Sequence, residues 1–181
     1  MPDQPTLTPE QFGALFTSFR SSAFRLEQLQ VYDVPSEVEA LAAWHRDGSA
    51  APNVAWCRTI RAARSRGASM RRVRVLIEPL SDYTRWELTG MRWSVEAGED
   101  IRVLVAGELG EWPSGPDYWL FDDEVGVLMA YDEAGRFRGG RRAGDLAPLR
   151  ALRDRTWAAA TPLADHLVTW PAGAEGDRGP A

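Results

Sequence analysis

Val73-Arg74-Val75-Leu76-Ile77 and Ile101-Arg102-Val103-Leu104-Val105 are two nearly identical apolar runs, and their reading decides the fold. β-Branched residues dominate both, which suits a pleated, packed surface. Their apolar ends suit interior strands better than an exposed edge. Each run follows a helix-like segment that ends at a glycine, Gly67 before the first and Gly98 before the second, where a left-handed residue stops a helix. Tyr118-Trp119-Leu120-Phe121 and Val125–Tyr131 follow as strands joined by the acidic turn Asp122-Asp123-Glu124. This order predicts an α/β fold, a mixed β-sheet flanked by helices. An α+β fold with an antiparallel sheet is the alternative.

Outward from this centre, Thr8-Pro9-Glu10-Gln11 has the pattern of a capped helix start, and Phe12, Leu15, Phe16 and Phe19 then share one face. Phe24 to Val34 alternates as a strand with a register break near Gln28–Leu29. Ser36-Glu37-Val38-Glu39 reads as a second capping box, opening a helix to about Arg46 with Val38, Leu41, Ala42 and His45 turned inward. A third helix runs from about Val54 to Arg66, with Arg58, Arg61 and Arg64 on one side. The strand Arg72–Glu78 ends at Pro79. Ser81 caps a helix to about Ala97 whose stripe is Tyr83, Trp86, Gly90, Trp93 and Ala97. A glycine- and proline-rich loop spans Gly107–Asp117, and Asp132-Glu133-Ala134-Gly135 makes another hairpin turn. A last helix runs from about Ala147 to His166, with Pro162 set to kink or divide it. Residues 1–169 form one α/β domain, and 170–181 read as a flexible C-terminal tail.

A 44% hydrophobic content is ample for a packed core and excludes general disorder. All 21 basic residues are arginine, as a GC-rich coding genome would produce. The net charge of -5 disfavours direct binding to nucleic acid. One cysteine, Cys57, excludes an internal disulfide and a cysteine-rich zinc site. The chain starts with no basic-then-apolar leader and has no apolar run of membrane-spanning length, so a cytoplasmic protein without membrane contact is expected.

Ala62-Ala63-Arg64-Ser65-Arg66-Gly67 followed by Arg72–Ile77 resembles the phospholipase D-like fold. So does Glu96-Ala97-Gly98-Glu99-Asp100-Ile101-Arg102-Val103-Leu104 followed by Trp119–Asp123 and Val125–Leu128. That family carries H-x-K-x-x-x-x-D on its last pair of strands. With Asp123 as the aspartate, Pro116 and Tyr118 stand in place of the histidine and lysine; with Asp122, Gly115 and Asp117 do. The chain also holds one such unit where the active enzymes use two. The resemblance therefore implies the fold without the catalysis, and no catalytic residue is assigned.

Phe24-Arg25-Leu26-Glu27, Pro79–Leu88, Ala97–Leu104 and Tyr118–Asp123 together are similar to an uncharacterised actinobacterial family, a domain of unknown function often encoded beside helix-turn-helix regulators. Gly98–His166 also resembles the ligand-sensing part of such regulators. The resemblance implies a non-catalytic regulatory binding protein that has a helix-turn-helix transcription regulator as its partner.

The alternative is a small-molecule or nucleotide-binding module. Clefts open at the carboxyl ends of strands, where a helix amino terminus offers free N–H groups. Tyr32, Glu78, Asp82, Tyr83, Arg85 and Trp86 would build such a pocket at the strand end near Glu78–Trp86, with Trp112 as a lid and Asp117 beside it. No cofactor and no metal is expected: the acidic turns lack a calcium-loop spacing, and His45 and His166 are the only histidines. A homodimer is left open.

Overall fold

The computed structural model describes residues 6–107 and 115–169. Among these residues eight strands form one mixed, open sheet in the order β1-β7-β6-β5-β2-β3-β4-β8. At its centre β2 (Ser22–Glu27), β3 (Ser69–Leu76) and β4 (Glu99–Val105) run parallel, as helical connections between them require. β5 (Tyr118–Phe121) pairs antiparallel with the other side of β2 and leads into the meander β6 (Val125–Tyr131) and β7 (Phe137–Arg142). The short β1 (Thr6–Leu7) and β8 (Thr161–Pro162) pair with β7 and β4. The two parallel pairs set aside the antiparallel α+β alternative.

Both faces of the sheet are covered. Ala23, Met70, Trp119, Phe121 and Val127 pack under α1 (Pro9–Ser18), α3 (Val54–Ser65) and the end of α4 (Asp82–Ala97). Phe24, Leu26, Val73, Val75 and Leu120 pack under α5 (Ala147–Ala159) through Leu149, Leu152 and Trp157. This double cover explains why the central strands are apolar on successive residues. Helix starts and stops follow the sequence closely. Thr8 and Gln11 form the capping box, Asn53 and Ser81 accept the N3 amides of α3 and α4, and Gly98 closes α4 at φ 114°.

Several expectations are corrected. The strand read over Phe24–Val34 ends at Glu27; beyond it Gln30 leaves the ladder and its side chain bonds Gln28 O, Val75 O and Ile77 N. The strand read over Arg72–Glu78 lies earlier, and Ile77 and Glu78 are exposed. Ser36 caps nothing: a 3₁₀ turn, Pro35–Glu37, precedes α2 (Val38–Asp47), whose amino end has no side-chain cap. No residue of α2 is buried, and Val38, Ala42 and His45 face solvent. On α4 the buried stripe runs through Leu88, Met91 and Ser94 as well as Tyr83 and Ala97, while Trp86 and Trp93 are half-buried. The division expected of the last helix near Pro162 is present: α5 ends at Ala159, and β8 pairs with β4 before α6 (Leu163–Thr169). The tail at 170–181 and most of the Gly107–Asp117 loop, Trp112 included, lie outside the described residues.

The segment after β2 is fixed against the β6–β7 turn. Asp33 N donates to Gly135 O at 3.1 Å, and Gly135 sits at φ 83° with any Cβ placed 2.5 Å from Val31 O. Neither the dihedral nor the space accommodates a side chain. Gly135→Ala is expected to cost about 1–3 kcal/mol, seen as a lower urea midpoint with an unchanged slope.

Candidate functional site

Strand alternation puts Arg25 and Glu27 of β2 on the same face as Arg72 and Arg74 of β3 and Glu99 of β4, beneath the helices. Ions removed from water must find partners there or be destabilising. Arg72 supplies them. Its Nε and Nη2 donate to the two oxygens of Glu99 at 2.8 and 3.2 Å, and Nη1 donates to Glu27 Oε2 at 2.7 Å. The other oxygen of Glu27 lies 2.6 Å from Arg25 Nη2. Trp56 of α3 donates its indole N–H to Glu99 at 3.0 Å. Arg74, with no exposed surface, donates Nε to Glu87 of α4 at 2.8 Å and Nη1 to Val75 O at 3.1 Å. A continuous charged layer thus joins three strands to two helices.

Toward the carboxyl ends of β2 and β3 the layer meets aromatic rings. The guanidinium carbons of Arg25 and Arg74 lie 6.0 and 5.6 Å from the Tyr32 ring centroid, within cation–π range. The Tyr32 hydroxyl donates to Asp117 Oδ2, whose other oxygen accepts Gln28 N at 2.8 Å. The Tyr83 hydroxyl donates to Glu37 at 2.7 Å. Tyr131 and Tyr83 rings pack 5.3 and 6.1 Å from Tyr32. Beside Asp117 and Tyr131 a cleft of about 460 Å³ opens, lined also by Gln28, Leu29, Met129 and Arg141.

The electrostatics differ along the layer. Burial would raise Glu27, but Arg25, Arg72 and Arg74 outweigh it and hold the carboxyl at about 2. Burial prevails at Glu37, Glu87 and Asp117, whose carboxyls are pushed up despite Tyr83, Arg74 and Tyr32 respectively. Burial also pushes Tyr131 up to about 12.

The family model described as "Domain of unknown function (DUF6879)" matches residues 10–168. The chain belongs to that family. No curated protein matches it. The matched span includes every residue of the charged layer. Among the described residues of the DUF6879 domain, no cluster of three or more His, Cys, Asp or Glu side chains could hold a metal ion. No described helix is long and apolar enough to cross a membrane.

Of the candidates read from sequence, the domain brings Tyr32, Tyr83 and Asp117 together at the end of the charged layer. Trp86 packs on Tyr83 at 5.4 Å. Arg85 is half-buried and engaged, while Glu78 and Asp82 are exposed, one in the turn after β3 and one in the first turn of α4. Among other charged candidates, Asp122 is occupied by the amides of Arg20, Ser21 and Ser22, and Asp132 by its own hairpin; Arg58, Arg61 and Arg64 are exposed on α3. Sequence reasoning missed Arg25, Glu27, Glu37, Arg72, Arg74, Glu99 and Tyr131 as members of a site. One signal could have found four of them: Arg25, Glu27, Arg72 and Arg74 alternate with apolar residues in strands too apolar to lie at an edge, so their own face must also be covered.

Removing one partner of a buried ionic network leaves the others uncompensated. Arg72→Leu is expected to destabilise the domain by about 3–5 kcal/mol, measured by chemical denaturation. Glu27 also sets an acid limb. Its folded value of about 2 lies below the ordinary 4.5, so its contribution is present above 4.5 and is lost as pH falls through that window. Glu27→Gln should flatten the dependence of stability on pH between about 4.5 and 2.

Proposed function

We propose that this DUF6879 domain is a non-catalytic regulatory binding protein that takes up a small molecule at the carboxyl ends of β2 and β3 and acts in the cytoplasm with a helix-turn-helix transcription regulator. The observation that carries the binding half is the convergence of Tyr32, Tyr83 and Asp117 on the buried arginines, next to a cleft at the strand ends. In α/β sheets that edge is where ligands enter. Aromatic walls with a few fixed polar groups are the usual composition of a small-molecule site.

The non-catalytic half rests on two supports. Under the phospholipase D-like reading of the element order, the nucleophilic histidine and the phosphate-binding lysine are replaced, by Pro116 and Tyr118 or by Gly115 and Asp117. The ions of the layer are moreover spent on one another, with Arg72 held by two carboxylates and Glu27 by two guanidinium groups. A nucleophile or general base needs a reactive face toward substrate. The regulator is supported by the resemblance of Gly98–His166 to the sensor part of such proteins and by the acidic net charge, which a basic partner would complement.

Two measurements test this reading. A metabolite and nucleotide panel is screened by thermal unfolding; a ligand at a hundred times its Kd adds about 2.7 kcal/mol and raises the Tm. Tyr32→Phe, which removes the hydroxyl on Asp117, should reduce that shift. In native extract the tagged chain should recover a helix-turn-helix protein, with recovery falling as salt rises. Turnover of a phosphodiester substrate would overturn the non-catalytic assignment.

A further inference from the structure

The polar end of the charged layer lies under an element that is weakly held. The 3₁₀ turn Pro35–Glu37 and α2 contribute no buried residue, and Val38 is 63% exposed. Only Leu41, Ala43 and Trp44 along with Ala40 are half-buried within α2. At its amino end the helix has no side-chain cap, and the Tyr83 hydroxyl reaches across from α4 to hold Glu37 at 2.7 Å. Elements with few buried contacts open well below the free energy of global unfolding.

What lies beneath is chemically unsaturated. Glu37 is held by the Tyr83 hydroxyl, the Tyr83 ring lies 6.1 Å from the Tyr32 ring, and the Arg74 guanidinium carbon lies 5.6 Å from that same Tyr32 ring, so the segment is joined to the end of the layer. Arg74, fully buried, uses Nε and Nη1 but leaves Nη2 with no acceptor among the described residues. A buried N–H with no acceptor is destabilising, and an oxygen brought to it would be favoured. The charge around it selects the kind of oxygen. Arg25, Arg72 and Arg74 are already matched by Glu27, Glu87 and Glu99, with Glu37 and Asp117 in addition. A further carboxylate or phosphate would be buried with these three guanidinium groups already paired, whereas a neutral carbonyl or hydroxyl carries no charge to compensate.

We propose that residues 35–47 form a cover latched by the Tyr83–Glu37 hydrogen bond, and that its opening admits an uncharged small molecule whose carbonyl or hydroxyl oxygen accepts from Arg74 Nη2. The ligand half rests on the binding reading above; the cover does not. Hydrogen exchange of the full chain tests the cover. Amides of residues 38–47 should exchange at least tenfold faster than those of α3 and α4. Tyr83→Phe should speed residues 38–47 a further roughly five- to tenfold while leaving α3 unchanged, the scale of one ordinary intramolecular hydrogen bond. Glu37→Gln, which keeps an acceptor, should fall between the two. Equal exchange across the three helices, or an acceleration in Tyr83→Phe that spreads to α3, overturns the cover.

For the ligand, NMR of the Arg74 Nε and Tyr32 ring signals is recorded with uracil, 2-pyrrolidone and nicotinamide, and with benzoate and acetate. Perturbation by the uncharged set alone supports the assignment. Perturbation by the carboxylates, or by neither set, overturns it. The thermal screen reads the binding function independently, so a stationary cover and an absent ligand give different results.

Discussion

Arg72 is the interaction on which the rest of this structure depends. Its planar fork is matched on one edge by both oxygens of Glu99 and on the other by Glu27, so one side chain ties β2, β3 and β4 together on their helix-covered face. Arginine suits this place because its donors are fixed in geometry and its charge persists out of water. A lysine could offer only a point charge. The indole of Trp56 completes Glu99, and the guanidinium carbon of Arg72 lies 5.7 Å from the Trp56 ring, so α3 is seated by the same ions.

A buried ionic layer is a costly way to hold strands together, since apolar residues of similar volume often serve as well or better. Its consequence here is specificity of arrangement. A one-residue slip of β2 against β3 would turn Arg25 and Glu27 away from Arg72 and Arg74 and toward α5, into the apolar cluster of Phe24, Leu26, Val73 and Val75. The layer therefore fixes register, and it also fixes α4, because Glu87 must reach Arg74. The position of Tyr83 on that helix, and with it the cover above, follows from the same bond.

The two ends of the layer respond oppositely to pH. Around Glu27 the arginines prevail, and the carboxylate is held ionised. Around Glu37, Glu87 and Asp117 burial prevails, and the neutral form is favoured relative to water. Glu27 supports the folded state above its unfolded value, while the other three do so at lower pH and lose that support as pH rises through their folded values. The contrast has one origin in the partners at each point: Glu27 is paired with two guanidinium groups, Glu87 with one, and Glu37 and Asp117 accept from tyrosine hydroxyls.

The sequence by itself determined the class of fold, the helix stops at Gly67 and Gly98, the caps at Thr8 and Ser81, and the hairpins around Asp122 and Gly135, because each is set by residues near in the chain. It also placed Tyr32, Tyr83 and Asp117 among the candidates. Only the tertiary structure decided that these three meet, that Glu78 and Asp82 face solvent, and that α2 keeps no buried face despite its apolar spacing. The charged layer was hidden for the same reason. Arg25, Glu27, Arg72, Arg74, Glu87 and Glu99 are distant in sequence and look like surface residues until the strands align. Whether an ion on a strand meets water or another ion depends on which helix covers its face, and that is a property of packing, not of local sequence.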